Sequence, residues 1–205
     1  DRFVYSASHD LSSPLKSILG LINIAKFENK DKSLANNLQY MERSVMKLEE
    51  VIKSLTQFSR NMGHEVKKTN IHFDELVNEI LEESQVAYKT DGYEITKDYN
   101  INSHIYSDYL RLRIILTNVI SNAFKYKKPD VNKPQIKVTF LKDGDRYTIA
   151  VKDNGIGISK ENQKNVFEMF FRATTQSEGS GLGLYIVAET IAKLQGTIEL
   201  KSEPD

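Results

Sequence analysis

A histidine and an aspartate stand side by side near the start of the chain, as His9 and Asp10 in the stretch SASHDLSSPLKSILG, residues 6–20. A neutral imidazole is a competent nucleophile near pH 7, because its unperturbed pKa is about 6.5. A single exposed histidine is more often an inert surface residue. The pair therefore indicates nucleophilic chemistry only if the rest of the chain supplies a substrate site.

A second stretch, NVISNAFKY (118–126), offers groups that suit a cation and a phosphate. Asn118 and Asn122 lie four residues apart, so they share one face of a helix, and Lys125 follows about one turn later. Two carboxamide oxygens on one face suit a hard, hydrated cation such as Mg²⁺, and a lysine suits a phosphate group.

Glycine-rich stretches complete the set. DNGIGIS (153–159) sets Asp153 at the end of a predicted strand; alone it is as well explained by a turn. EGSGLGLYIV (178–187) sets glycines immediately before a predicted helix, where backbone N–H groups approach a phosphate closely. The glycines concerned are Gly155, Gly157, Gly179, Gly181 and Gly183. Each stretch alone is a weak signal, but their order and spacing together indicate a nucleotide site.

Two heptad patterns of apolar residues precede these stretches. They run through Val4, Leu11, Ile18 and Ala25, and then through Leu34, Leu38, Met41, Val45, Leu48, Ile52 and Leu55. The polar turn NKDKS (29–33) between them predicts an antiparallel helical hairpin. Because two such helices cannot bury both seams in each other, we expect a dimer that forms a four-helix bundle.

In this heptad numbering His9 falls opposite the apolar seam, so the hairpin would present it to solvent. Pro14 has two explanations. A helix could start there with Ser13 as its N-cap, or one helix could bend there. The unbroken seven-residue spacing from Val4 to Ile18 favours the bent helix, a distortion that costs about 3 kcal/mol.

Residues 60–68 have the glycine and the charges of a linker, and from residue 69 the pattern becomes α+β. Strands are predicted at 69–73, 93–99 and 197–202, with a hairpin over 135–153 that turns at 143–145. Helices are predicted from an N-cap at Asp74 to residue 88, over 107–126 with Ser107 or Asp108 as cap, and over 182–196. Residues 154–181 lack sustained periodicity apart from a short helical stretch near 160–171, which favours a functional lid.

Composition bounds the remaining possibilities. The chain has 205 residues, 28 basic and 28 acidic side chains and no cysteine, so disulfide and thiol chemistry are excluded and nothing favours nucleic acid as a partner. No apolar run reaches the roughly 18 residues of a membrane span, and no signal peptide is visible. Because the chain opens at Asp1 without a methionine, we expect it to be part of a longer protein.

Five stretches resemble, in order, the H, N, G1, F and G2 boxes of the sensor histidine kinases of two-component systems: SHDLSSPL, NVISNAFKY, DNGIGI, VFEMFFRA and GSGLGL. The resemblance implies a helical hairpin for dimerisation and histidine phosphotransfer at residues 1–62 and a linker at 63–68. At 69–205 it implies an ATP-binding α+β two-layer sandwich of the GHKL, or Bergerat, type shared with gyrase, Hsp90 and MutL. The chain stops at LKSEPD, before the further strand that this family normally adds.

The resemblance also implies a bacterial-type ATP-dependent autokinase. His9 would attack the γ-phosphoryl group, Asp10 would take up the proton of the other ring nitrogen, and the phosphoryl group would pass to an aspartate of a response regulator. Ser13 stands where the family's phosphatase activity is associated with Thr or Asn, which leaves a phosphatase role for this serine open.

For the nucleotide, the resemblance implies that Asn122 holds Mg²⁺ with Asn118 beside it and that Lys125 contacts phosphate. Tyr126 would pack against the adenine, and Asp153 would accept a hydrogen bond from its amino group. The other implied ATP-binding residues are Gly155, Gly157, Arg172, Gly179, Gly181, Leu182 and Gly183.

Two other interpretations stay open: a nucleotide-driven clamp ATPase that forms no phosphoprotein, and a degenerate kinase that serves as a scaffold. His9 on a dimerising hairpin favours the kinase over the clamp, while the intact Asn122 and Asp153 argue against the scaffold. Expected partners are a second copy of the chain, a receiver domain and an upstream sensor domain, in the cytoplasm and without nucleic acid. His64, His72 and His104 show no ligand spacing and predict no metal cluster.

Overall fold

The computed structural model describes residues 15–27, 29, 32–88, 92–129, 131–173 and 180–203, and it divides into two compact units, Asp1–Glu65 and Val66–Asp205. His9, Asp10, Ser13, Pro14 and Gly179 lie outside the described residues, as does the predicted bend. Among the described helices none is long and apolar enough to cross a membrane.

The first unit contains helix α1, residues 15–27, and helix α2, Lys32–Gly63. Lys26 of α1 forms an ion pair with Glu42 of α2, which sets the two helices side by side. The buried apolar residues follow the heptads and are Leu15, Ile22, Leu38 and Ile52. A second row stays exposed in the single chain: Ile18, Leu21, Leu34, Met41 and Leu48. The hairpin thus buries one seam and leaves the other uncovered.

The second unit has the predicted α+β architecture. Its helices are α3 Phe73–Tyr88, α4 Tyr109–Lys125, α5 Lys160–Gln163 and α6 Gly183–Lys193. Its strands are β1 Lys68–His72, β2 Glu94–Asp98, β3 His104–Asp108, β4 Gln135–Asp143 and β5 Arg146–Asp153. β1 and β3 form an antiparallel pair; β2, β4 and β5 form a sheet in that order, with β2 parallel to β4 and β4 antiparallel to β5.

The core of this unit lies between the helices and the sheet. Period-2 burial along β4 buries Ile136, Val138 and Phe140, and the apolar stripes of α3 and α4 pack over them. The hairpin turn falls at Gly144 and Asp145 as predicted, and Gly144 has φ +57°, a conformation that favours glycine.

The predicted N-cap at Asp74 is wrong by two residues, because α3 begins at Phe73 and its N-cap position is therefore residue 72. Phe73 is fully buried, and its N–H donates to the Ser103 carbonyl at 3.0 Å, so the helix starts directly after β1. The Asp74 carboxylate instead accepts hydrogen bonds from Lys97 at 2.9 Å and Tyr99 at 3.1 Å. Burial alone would raise the pKa of Asp74, but these hydrogen bonds and the Lys97 charge outweigh it and lower the pKa. Asp74 thus ties α3 to the end of β2.

Of the two caps predicted for α4, the structure has Asp108. Its carboxylate accepts the Arg111 N–H at 3.0 Å and the Lys67 N–H at 2.9 Å, and it pairs with the Arg111 guanidinium at 2.6 Å. Both side chains are buried. One carboxylate therefore caps α4, neutralises a buried arginine and holds the chain segment that leads into β1.

The predicted strand at 197–202 is not formed: residues 196–203 have no regular secondary structure. The segment is held by other contacts. The Ser202 hydroxyl accepts the Ile158 N–H at 2.9 Å, and the Ser202 carbonyl accepts from the Gln163 side chain at 2.7 Å. Alternating residues predict a strand only where a neighbouring strand offers a ladder, and here side-chain hydrogen bonds take its place.

Replacing Asp108 by asparagine should destabilise the second unit by about 3 kcal/mol at pH 7, because it removes the negative charge that pairs with the buried Arg111 guanidinium. Burial alone would raise the pKa of Asp108, but hydrogen bonds from the Arg111 and Lys67 N–H groups and from the Arg111 side chain, together with its charge, lower it. A lowered pKa adds stability above the unfolded value of about 3.9 that is lost as the pH falls through the folded value. The difference between wild type and variant should therefore shrink below about pH 4.

Urea unfolding followed by tyrosine circular dichroism at pH 7 and pH 3.5 measures this difference, since every tyrosine except Tyr5 and Tyr40 lies in the second unit. The matched control is Asp98→Asn, whose ion pair with Lys137 is exposed, and exposed pairs contribute about 0–1 kcal/mol. Equal losses in the two variants at pH 7 would contradict the role given to the buried pair.

Candidate functional site

The asparagine face of α4 lies against the start of α6. The Asn118 side chain donates to the Ile114 carbonyl at 2.8 Å, which fixes the amide on its own helix. A Cβ added to Gly183 would stand 2.9 Å from Asn118 Oδ1, closer than real Cβ contacts come. The missing side chain at Gly183 therefore lets the N-terminus of α6 reach the asparagine face.

The DNG turn lies against the C-terminal end of α4. The Asp153 carboxylate accepts the Gly155 N–H at 2.8 Å, and the Ile156 N–H donates to the Tyr126 carbonyl at 3.0 Å. A Cβ on Gly155 would stand 2.4 Å from that carbonyl oxygen. Only glycine allows this approach, so Asp153 and Tyr126 are held as neighbours.

Two residues that sequence reasoning missed support this turn. Asn154 accepts the Gln135 N–H at 2.8 Å and donates to the Lys133 carbonyl at 3.0 Å, which clamps the end of β5 to the start of β4. An asparagine that bonds to nearby backbone is a recognisable turn signal, but partners about twenty positions away in sequence cannot be read from the motif.

Tyr93 is the second residue that sequence reasoning missed. Its hydroxyl donates to the Phe124 carbonyl at 2.9 Å, and its ring meets the Phe124 ring edge-on at 4.8 Å. Burial, and then the negative charge of Asp153, raise the pKa of the Tyr93 hydroxyl. Tyr93 thus fixes the last turn of α4 within the electrostatic reach of Asp153.

The F-box backbone packs against the second glycine-rich stretch. Gly181 has φ +73°, and a Cβ on it would stand 2.7 Å from the Phe170 carbonyl carbon. Phe170 itself has φ +65°, rare for a bulky residue, while its side chain is 53% exposed. Leu182, next to Gly181, is completely buried. Buried Leu182 thus anchors the second glycine-rich stretch, while the Phe170 side chain lies at the surface.

Of the remaining predicted residues, Asn122 and Lys125 lie in the C-terminal part of α4, and Tyr126 is its C-cap. The Lys125 ammonium lies 5.8 Å from the centre of the Tyr126 ring, and Asn122 and Tyr126 are half-buried. Gly157 has φ +67°, and Arg172 is exposed. The structure therefore gathers the predicted residues in two groups, Asn118 with Gly183 and Tyr126 with Asp153 and Gly155, at α4.

The donor set can be tested for a divalent cation. Asn118 presents its carboxamide oxygen towards α6, because its nitrogen is already bonded to Ile114. The described part of the chain holds no group of three or more His, Asp or Glu side chains that could bind a metal. Neutral carboxamide oxygens fit a Mg²⁺ ion that brings waters and phosphate oxygens as its other ligands.

Two family models match the chain. Residues 1–64 match the His Kinase A (phospho-acceptor) domain, and residues 107–205 match the histidine kinase-, DNA gyrase B- and HSP90-like ATPase. The second match includes both groups of site residues, so the unit built around α4 is an ATP-binding domain of this type.

Curated relatives align over almost the whole chain. The methanogenesis regulatory histidine kinase FilI of Methanothrix harundinacea is 32% identical over 99% of this chain and 23% of its own length. The sensor-like histidine kinase SenX3 of Mycolicibacterium smegmatis is 31% identical over 98% of this chain and 54% of its own length. The chain thus spans a quarter to about half of these relatives.

A solved structure shares the fold. Full-length ShkA in complex with AMPPNP matches with a TM-score of 0.67 at 24% identity, over 95% of this chain and 41% of that one. The predicted fold class, a helical hairpin followed by a GHKL-type α+β domain, is confirmed. With both family models in the same order as the five sequence boxes, the chain belongs to the sensor histidine kinases and carries their catalytic core.

Proposed function

We propose that this chain is an ATP-dependent histidine autokinase that phosphorylates His9 and passes the phosphoryl group to an aspartate of a response regulator. The observation that carries the proposal is the contact of α4 with the Asp153 turn at one end and with Gly183 on its asparagine face. These contacts make one site from residues that are far apart in sequence, and a phospho-acceptor domain precedes it.

In this site Asp153 selects the base. One carboxylate oxygen is already occupied by the Gly155 N–H, which fixes the plane of the carboxylate and leaves the other oxygen for the amino group of adenine. Guanine carries a carbonyl oxygen at that position. This acceptor would face the carboxylate oxygen of Asp153, which is also an acceptor, so no hydrogen bond could form. The half-buried Tyr126 ring, held by the Ile156 hydrogen bond to its carbonyl, packs against the base.

The phosphates lie toward α6 and Lys125. Asn122 and Asn118 hold Mg²⁺ through their carboxamide oxygens, and the ion, when bound, neutralises charge on the β- and γ-phosphates. The backbone N–H groups at Gly181 and Gly183 and the start of α6 donate to phosphate oxygens. Arg172, the exposed residue that follows the F-box aromatics, contacts the phosphates. The ShkA structure, determined with AMPPNP, supports a triphosphate as the ligand of this fold.

The reaction forms a phosphorus–nitrogen bond at His9 and breaks the bond between the γ-phosphorus and the oxygen that bridges it to the β-phosphate. ADP leaves with that electron pair. Asp10 takes up the proton of the other imidazole nitrogen, so the phosphohistidine does not keep a positive charge. The phosphorus–nitrogen bond then breaks in turn as a receiver aspartate attacks, and the imidazole is regenerated. In an opposing phosphatase reaction, Ser13 would hydrogen-bond the attacking water, and inorganic phosphate would leave.

The chain then has three parts. Dimerisation and phosphotransfer belong to residues 1–62, ATP binding belongs to residues 69–205, and residues 63–68 link the two. Two copies associate through the hairpin, whose exposed apolar row would otherwise face water. A sensor domain elsewhere in the full-length protein supplies the input. ATP and receiver domains place this part in the cytoplasm.

His9→Gln should abolish incorporation of label from γ-labelled ATP while leaving ATP affinity unchanged, because the nucleotide site belongs to the other unit. The label on the wild type should be acid-labile and base-stable, as a phosphorus–nitrogen bond requires. His64→Gln is the matched control and should label normally. A protein that hydrolyses ATP without acquiring label would instead be a clamp ATPase.

Asp153→Asn should weaken binding of ATP and ADP alike by roughly 10- to 150-fold, since a hydrogen bond from the base to a charged carboxylate contributes about 1.5–3 kcal/mol. Isothermal titration calorimetry measures both nucleotides. Asp145→Asn, in the turn at the other end of β5, is the matched control and should bind as the wild type does. Wild-type affinity in Asp153→Asn would mean that the motif is only a turn.

Leu48→Asp should dissociate the dimer, because Leu48 belongs to the uncovered seam and a carboxylate buried there without a partner is costly. Sedimentation at low micromolar concentration measures the assembly. Met46→Asp puts the same charge on an exposed apolar position outside the heptad seam and should leave the dimer intact. A dimer that survives Leu48→Asp would refute the bundle.

A further inference from the structure

The fold brings together two histidines that the sequence separates by 32 positions. His72 ends β1 and His104 begins β3, and they are direct partners in the antiparallel ladder. Their ring centroids lie 4.8 Å apart, with the rings at 71° to each other. Neither residue belongs to the nucleotide site or to any of the five sequence boxes.

The ladder puts this pair at a position where side chains approach most closely. The Phe73 N–H donates to Ser103 across the ladder, so the neighbouring pair His72 and His104 is a non-hydrogen-bonded one. The Tyr106 N–H, two residues further, points away from β1 to the Tyr147 hydroxyl at 3.4 Å, as this alternation requires. In such pairs the side chains stand closer than in hydrogen-bonded pairs.

Each of the two rings has a nitrogen without a hydrogen bond to the described residues. His104 Nδ1 lies 2.8 Å from the Asn102 carbonyl oxygen, which can only accept, so Nδ1 carries the proton and Nε2 keeps its lone pair. This is the arrangement in which metal-binding histidines are usually held. His72 Nδ1 is buried and has no hydrogen-bond partner among the described residues. A buried imidazole nitrogen without a partner calls for a ligand or water.

We propose that His72 and His104 together bind one borderline transition-metal ion, of the Zn²⁺, Ni²⁺ or Cu²⁺ class. Imidazole suits these ions and is a poor ligand for Mg²⁺ or Ca²⁺. Since no carboxylate or third histidine in the described ranges joins the pair, water completes the coordination and affinity should follow the order Cu²⁺ above Ni²⁺ and Zn²⁺.

Such an ion would join β1 to β3. β1 begins within a few residues of the boundary between the two units, and β3 ends at Asp108, which caps α4. The metal would therefore stabilise the strand pair that leads from the unit boundary to the central helix of the nucleotide site. The Mg²⁺ used with ATP would not compete for it.

The test is calorimetric titration of the untagged chain with Zn²⁺ and Cu²⁺, and with Mg²⁺ as a comparison. His72→Gln and His104→Gln should each weaken Zn²⁺ binding at least tenfold, and His64→Gln should stay within twofold of the wild type. Because His104 is exposed, its replacement leaves the core intact, whereas His72→Gln is checked by circular dichroism. Hydrogen exchange adds a second readout: Zn²⁺ should slow exchange in β1 and β3 of the wild type but not of His104→Gln.

A loss of at least tenfold in both His72→Gln and His104→Gln, with His64→Gln unchanged, supports the shared site. No Zn²⁺ binding by the wild type, a loss of less than tenfold in either folded variant, or an equal loss in His64→Gln would each overturn it.

Discussion

The carbonyl oxygen of Tyr126 accepts the N–H of Ile156, and the nucleotide site depends on this hydrogen bond. It closes a contact so tight that a methyl group on Gly155 would stand 2.4 Å from that oxygen. Through it the end of β5 and the end of α4 become one surface, with Asp153 on one side and Tyr126 on the other. At its N-terminus α4 is fixed just as firmly, by the buried pair of Asp108 and Arg111. Because α4 is held at both ends, Asn118 and Asn122 keep a fixed position relative to the rest of the site.

Three glycines of the two glycine-rich motifs are required by the packing of the protein itself, independently of any nucleotide. Gly155 and Gly183 avoid clashes with Tyr126 and Asn118, and Gly181 combines a positive φ with close approach to the F-box backbone. Such motifs are usually explained by approach of the backbone to phosphate. Here the same residues also set how β5 and α6 meet α4. Replacing one of them would therefore disturb the shape of the site as well as its contacts with the ligand, whereas Asp153→Asn changes chemistry alone.

What could be predicted from sequence was local. Heptad spacing, the apolar stripe of α4 and the Gly144 turn identify their elements because each signal lies within one segment. The failures were non-local. Asp74 is predicted as a cap because its local sequence does not show that its carboxylate bonds to Lys97 and Tyr99. The strand at 197–202 is predicted from alternation alone, which does not show whether a ladder is available. Asn154, Tyr93 and the His72–His104 pair emerged only from strand register and tertiary packing. The seam positions of the hairpin divide in the same way: the heptad gives both rows, but only the structure shows that the row of Leu38 and Ile52 is covered and the row of Met41 and Leu48 is not.

The few charged groups of the proposed site suit a ligand that itself carries negative charge and a bound cation. ATP with Mg²⁺ carries net negative charge on the phosphates, and at about 4 Å two like unit charges repel by roughly 4 kcal/mol at an effective dielectric constant of 20. Carboxylates in place of Asn118 and Asn122 would hold the ion more strongly but would repel the phosphates that must share it. Carboxamides offer the same hard oxygen without that repulsion. In the proposed site, the Asp153 carboxylate stands instead at the end next to β5, where the uncharged base offers a hydrogen-bond donor. In the proposed binding mode, this difference between amide and carboxylate orients the nucleotide, with its base toward β5 and its phosphates toward α6.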